Sequence, residues 1–134
     1  MNNIPLEDII EINEGIINEW LDVNPQAHDR VGVNKNRLQE VLDIVNKQNS
    51  PMLKAVYLMA GIAWAQPFHE GNKRTGSIVA DTFLRMNGFK LVITEEDIEY
   101  HRSLLFEIQE ERGKLNDDVL SKIMLYVAKR IVKV

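Results

Sequence analysis

Apolar positions recur along this chain mainly with the period of a helix. Between Pro5 and Leu21, Leu6, Ile9, Ile10, Ile12, Ile16, Ile17, Trp20 and Leu21 return at intervals of three and four, as on a helix with one buried face. Pro5 suits a first helical position, where its missing N–H has no intrahelical partner to lose. Gly15 interrupts the stretch at a propensity cost of about 1 kcal/mol. From Asp22 to Asn34 the period disappears and Asn24, Pro25, Asp29 and Gly32 gather, predicting a surface loop of the kind that often carries recognition. Leu38, Val41, Leu42 and Val45 then mark a second amphipathic helix over Lys35 to Lys47.

Ser50 and Pro51 supply an N-cap and a first-turn proline for a third helix, ending at Trp64 or Ala65. Lys54 is its one charged residue, so this helix is expected to run through the middle of the domain, packed on most sides. A fourth helix is predicted from Lys73 to Met86, with Ile78, Val79, Thr82, Phe83 and Met86 inward and Asn87-Gly88 ending it. Phe89 to Ile93 forms a short connector compatible with extended backbone. Thr94-Glu95-Glu96-Asp97 has capping-box spacing and predicts a helix running toward Arg112, before Gly113. A last helix over Asp117 to Val132 carries Val119, Leu120, Ile123, Val127 and Ile131 inward. The expected fold class is all-α: one compact domain over residues 1–134, with five or six helices and little or no sheet.

Composition narrows the chemistry. The 134 residues are 45% hydrophobic and 27% charged, as in an ordinary soluble globular domain. Sixteen basic against 20 acidic residues give a net charge of -4 without a basic stripe, so no direct nucleic-acid partner is expected. The absence of cysteine excludes thiolate catalysis, disulfides and cysteine-ligated metals. Glu7 and Asp8 stand where a secretory signal needs basic residues, and the apolar run Met52 to Ala65 is shorter than the roughly 20 residues of a membrane span. A soluble, cytoplasmic protein with no membrane partner is the expectation.

The informative segment lies between the third and fourth helices, Gln66-Pro67-Phe68-His69-Glu70-Gly71-Asn72-Lys73-Arg74-Thr75-Gly76. Gly71 and Asn72 permit an unusual turn directly before a helix start, where the first N–H groups have no intrahelical partner. Such groups, with the positive end of the helix dipole, favour an anion such as phosphate, and Lys73 and Arg74 add two cations. Glu70 offers the single hard carboxylate that Mg²⁺ takes beside phosphate oxygens. Gly71 and Gly76 have the outer spacing of a P-loop, but Ser77-Ile78 follows in place of Lys-Ser/Thr and a helix precedes in place of a strand, which excludes that motif.

This string resembles the motif of the Fic/Doc superfamily, His-Pro-Phe-x-Asp/Glu-Gly-Asn-Gly/Lys-Arg, at every position but the first, where Gln66 replaces histidine. The order of helices and the size resemble the Doc (death-on-curing toxin) branch. Lys73 stands where Fic adenylyltransferases have a second glycine, and Ser77 where they have a second arginine. The resemblance implies a toxin-family transferase using ATP and Mg²⁺ to modify a protein hydroxyl, with phosphate transfer favoured over AMP transfer and a translation factor as the type of target. Carried over by position, Gln66 occupies the place of the catalytic base and Phe68 anchors the loop. Glu70 is the implied metal ligand; Gly71, Asn72, Lys73 and Thr75 surround the phosphates; Arg74 clamps them and serves catalysis.

Gln66 changes that expectation, because an amide accepts no proton near neutral pH whereas a histidine titrates near 6.5. General base catalysis contributes about 10²- to 10⁴-fold, so turnover is expected to be strongly impaired while nucleotide binding survives. His69 follows a core-facing Phe68 and is expected to face solvent, while His28 and His101 are expected at the surface or an interface. Some Fic proteins carry an inhibitory helix of pattern Ser/Thr-x-x-x-Glu-Gly/Asn; Glu14-Gly15 matches in part, but Ile10 holds the Ser/Thr place. The expected inhibitor is therefore a separate antitoxin protein.

Overall fold

The Ser50 side chain accepts a hydrogen bond from the Leu53 N–H at 3.1 Å and so starts α3 (Pro51–Ala65), the helix around which the domain is built. In this computed structural model, which describes residues 1–110, 115 and 117–134, α3 buries residues on nearly every face, from Ala55 and Val56 through Ile62 and Ala63. Its charged residue, Lys54, is buried too, with Nζ donating to Asn3 Oδ1 at 2.9 Å. Around α3 pack α1 (Leu6–Val23), α2 (Lys35–Asn46), α4 (Asn72–Met86), α5 (Ile98–Gln109) and α6 (Asp117–Arg130). Six α-helices among the described residues, with one small ribbon, make this the compact all-α domain that the periodicity predicts.

Three local details differ from the sequence reading. The buried stripe of α4 is Thr75, Gly76, Val79, Ala80, Phe83 and Leu84, while Ile78 and Met86 are exposed. The reason is closeness of approach: a Cβ on Gly76 would lie 2.8 Å from the Met59 carbonyl oxygen, so the smallest residues of α4 face α3. The last helix stops at Arg130, and Ile131–Lys133 forms β2, antiparallel to β1 (Phe89–Leu91) with Leu91 opposite Ile131. Thr94 and Asp97 form the expected capping box, but the first turn, Glu95–Asp97, is a 3-10 turn before α5. Arg112 and Gly113, expected near the end of that helix, lie outside the described residues. Among the described residues, no helix is long and apolar enough to cross a membrane.

Two glycines test this packing with opposite signs. Gly76→Ala should lower stability by about 1–3 kcal/mol, since backbone at 2.8 Å must move. Gly15→Ala, with nothing within 4 Å of its added methyl, should raise it by about 0.5–1 kcal/mol. Urea midpoints of the two variants provide the comparison.

Candidate functional site

The segment between α3 and α4 is fixed from both ends and from below. Arg37 Nε donates to the Ala65 carbonyl at 2.7 Å, satisfying the C-terminal turn of α3. Gln66 then adopts left-handed backbone (φ 49°), a conformation that costs a non-glycine residue about 1–2 kcal/mol. That turn sends Phe68 into the core, where it is 4% exposed, and leaves Gln66 at the surface. Asn72 closes the loop by accepting from the Phe68 N–H and donating to the Phe68 carbonyl, both at 2.9 Å. The α1–α2 loop lies alongside, with the Asn34 N–H donating to Pro67 O at 2.7 Å and the His69 N–H to Gly32 O at 2.9 Å.

From below, α1 contributes Asn13, a buried amide in a stripe of isoleucines. Its Nδ2 donates to the Glu70 carbonyl at 2.9 Å and to Thr75 Oγ1 at 3.0 Å. Gly71 between them takes φ 74° and caps α4 without a side chain. The N–H groups of Asn72, Lys73 and Arg74 consequently precede the first hydrogen bond of the helix, Thr75 N–H to Gly71 O at 2.9 Å. They are the free donors that an anion site requires.

These donors open into a cleft of about 990 Å³ between α4 and α5, lined by Gln66, His69, Glu70, Lys73, Arg74 and Ser77 on one side. Leu105, Phe106 and Gln109 line the other side. Lys73 spans it, with Nζ donating to Gln109 Oε1 at 2.8 Å and lying 5.7 Å from the Phe106 ring centre. Arg74 is exposed and has no hydrogen-bond or ion-pair partner among the described residues. Glu70 is half-buried, 3.9 Å from His69 Nδ1. Among the described residues no three histidines or carboxylates cluster as a preformed metal site, so a cation here would use Glu70 together with ligand oxygens.

The residues expected at the nucleotide therefore divide. Gln66, Glu70, Gly71, Asn72, Lys73 and Arg74 all line the cleft. Thr75 does not: its side chain is 0% exposed and is the acceptor for Asn13, so it holds the loop from beneath. Asn72 spends its amide on the loop, leaving its backbone N–H for a ligand. His69 is exposed as expected, yet lines the cleft, and His28 is exposed on the α1–α2 loop.

His101 is the larger correction. It is half-buried on the cleft wall, with Nε2 2.7 Å from Ser77 Oγ and Nδ1 2.9 Å from the Tyr126 hydroxyl. Behind it, the Arg130 guanidinium stacks 4.0 Å from the centre of the Tyr126 ring and pairs with Asp97 at 2.6 Å. That ion pair holds the Asp97 carboxyl well below the usual carboxylate range. Burial pushes the Tyr126 phenol up to about 12. Burial first, and the Arg130 charge second, hold the His101 imidazole below its ordinary 6.5, against the opposing pull of Asp97. No local pattern announces this group, because its members come from α4, α5 and α6. Asn13 did leave a signal, a polar residue at a stripe position between Ile9, Ile10 and Ile16, Ile17.

The helical domain thus carries a cleft with a glycine-started helix N-terminus and two adjacent cations on one wall. The family model described as Fic/DOC family matches residues 3–84, more than half of the chain, and the chain belongs to that family. Fido-domain transferases are its general type. No curated protein matches the chain. The matched region contains α1 to α3, the loop and nearly all of α4; the facing wall from α5, with His101, lies beyond it.

Two measurements follow from this geometry. Asn13→Ala removes one buried and one partly buried hydrogen bond and leaves Thr75 Oγ1 without that donor, so stability should fall by about 1–3 kcal/mol, read from denaturant unfolding. For His101, the folded-state pKa is depressed, so the unfolded chain binds the proton more readily below about 6.5. Its contribution is complete above the unfolded value near 6.5 and declines as pH falls through it toward the folded value. Melting temperature should drop between pH 7.5 and 5.5, and His101→Gln should flatten that drop.

Proposed function

We propose that the chain is a Doc-like transferase that moves a phosphate group from ATP to a hydroxyl of a target protein, with Gln66 holding turnover low. The carrying observation is the juxtaposition of Arg74, exposed and without a partner among the described residues, with the free N–H groups of Asn72, Lys73 and Arg74 at the mouth of one cleft. Arginine's planar fork matches phosphate oxygens in pairs. Glu70 is the residue that would hold Mg²⁺ against those oxygens, and the metal would neutralise phosphate charge when bound. The cleft is large enough for a nucleotide, and its apolar side, Ile78, Leu105 and Phe106, suits a base or ribose face.

Phosphate transfer is favoured over AMP transfer because Lys73 and Ser77 occupy the two places where Fic adenylyltransferases resemble one another in glycine and arginine. The target on this reading is a protein hydroxyl, with a translation factor as the type of substrate and a separate antitoxin as the inhibitor. Both partners and the reaction belong in the cytoplasm. His101 does not replace the missing base for such an external hydroxyl, because both its ring nitrogens are engaged.

Gln66→His should raise transfer by about 10²- to 10⁴-fold and slow the growth of cells producing it. Label moving to a cell protein from γ-labelled ATP supports the proposal, and label moving from α-labelled ATP replaces it with AMP transfer. If neither form of the chain transfers label while calorimetry still shows ATP-Mg²⁺ binding, the domain is a nucleotide-binding module and the catalytic reading fails. Arg74→Ala in the Gln66→His background should abolish the signal.

A further inference from the structure

Ser77 sits on the second turn of α4, one turn beyond Lys73, and faces the cleft. Its hydroxyl donates to the Lys73 carbonyl at 3.1 Å and lies 2.7 Å from His101 Nε2. The backbone carbonyl alone would satisfy a helical serine. The shorter contact is instead to a histidine brought from another helix, and that histidine is held by a third group, Tyr126, at 2.9 Å. A hydroxyl, a base within hydrogen-bond reach and an orienting group behind the base is the arrangement of an activated nucleophile. It opens onto the cleft that holds Lys73 and Arg74, not into the core.

We infer that Ser77 is a self-modification site: its hydroxyl, activated by His101, takes the terminal phosphoryl group of a nucleotide bound in the cleft. The inference rests on the nucleotide reading of that cleft. In the reactive tautomer the imidazole carries its proton on Nδ1, donated to the Tyr126 oxygen, and the Ser77 hydroxyl turns its single proton from the Lys73 carbonyl to Nε2. Ser77 Oγ forms a bond to the γ-phosphorus as the bond from that phosphorus to the β,γ-bridging oxygen breaks. The bond's electron pair leaves with ADP, and the Ser77 proton passes to His101 Nε2. Tyr126 stays a neutral acceptor for the imidazolium, and Arg130, stacked on Tyr126, disfavours a charged His101 at rest. This route needs no proton acceptor at position 66, which distinguishes it from transfer to an external protein. A phosphate on Ser77 would place new negative charge between Lys73 and His101, occupying the cleft and pairing with the lysine.

The test incubates the full chain with Mg²⁺ and γ-labelled ATP and no other protein, and maps label by mass spectrometry. Phosphate on Ser77 is expected, absent in Ser77→Ala and formed at least ~100-fold more slowly in His101→Gln. A fluorophosphonate, which marks activated serines without nucleotide or metal, should label Ser77 and lose that reaction in His101→Gln. Calorimetry with ATP-Mg²⁺ separates nucleotide binding from transfer to Ser77. If ATP binds but Ser77 stays unphosphorylated, the self-modification inference is overturned and the nucleotide reading stands. If ATP does not bind, the nucleotide reading falls and self-phosphorylation with it, although His101-dependent fluorophosphonate labelling would keep Ser77 as an activated nucleophile. Phosphate found equally in wild type and Ser77→Ala also overturns the inference.

Discussion

Asn13 reaches across 57 residues of sequence to hold the Glu70 carbonyl, and the same nitrogen holds Thr75 Oγ1. The turn that begins α4 is tied to α1 through that amide. A buried polar group is costly unless paired, and here both partners lie at the two ends of the turn that begins α4. Gly71 between them is packed as well: a Cβ on it would lie 3.3 Å from Ile17 and 3.6 Å from Asn13 Nδ2. The left-handed turn is thereby fixed by α1 from beneath, and the direction of the first N–H groups of α4 is fixed with it.

The close contact of α4 with α3 complements this joint. Gly76 brings the α4 backbone against Met59, which sets how far apart the two helices can lie and how much chain must span them. Gln66 absorbs the reversal in left-handed backbone, Phe68 fills the core and Asn72 ties the ends. The net charge of -4 does not describe this cleft, where the charged groups that matter are local. Lys73, Arg74 and a helix terminus converge at one cleft, where Glu70 and Glu99 are the acidic lining residues.

Much of the framework is legible because its causes are local. Ser50-Pro51 starts α3, Thr94 and Asp97 form a capping box, and the α2 stripe is the four residues that its spacing indicates. The phase of α4 is not legible from hydrophobicity, since closeness to Met59 selects Gly76 and Ala80 for the interior and leaves Ile78 on the cleft wall. The loop chemistry at 66–74 can be read from glycine, asparagine and adjacent cations, but Thr75 points away from it for a tertiary reason, the bond from Asn13. His101 cannot be read at all, because Ser77 and Tyr126 lie 24 and 25 residues away on other helices. β2 is hidden similarly, as Ile131–Lys133 continues a helical pattern until pairing with Phe89–Leu91 captures it.

The central claim is that the amino end of α4 receives the phosphates of a nucleotide. Amide-resolved NMR during a titration with ATP-Mg²⁺ reads that end directly, one N–H at a time. The account predicts that the largest shifts fall on Gly71, Asn72, Lys73 and Arg74, with smaller ones on Phe106 and Gln109 across the cleft. Saturable binding whose shifts leave those four amides unmoved, or no binding at all, would contradict it.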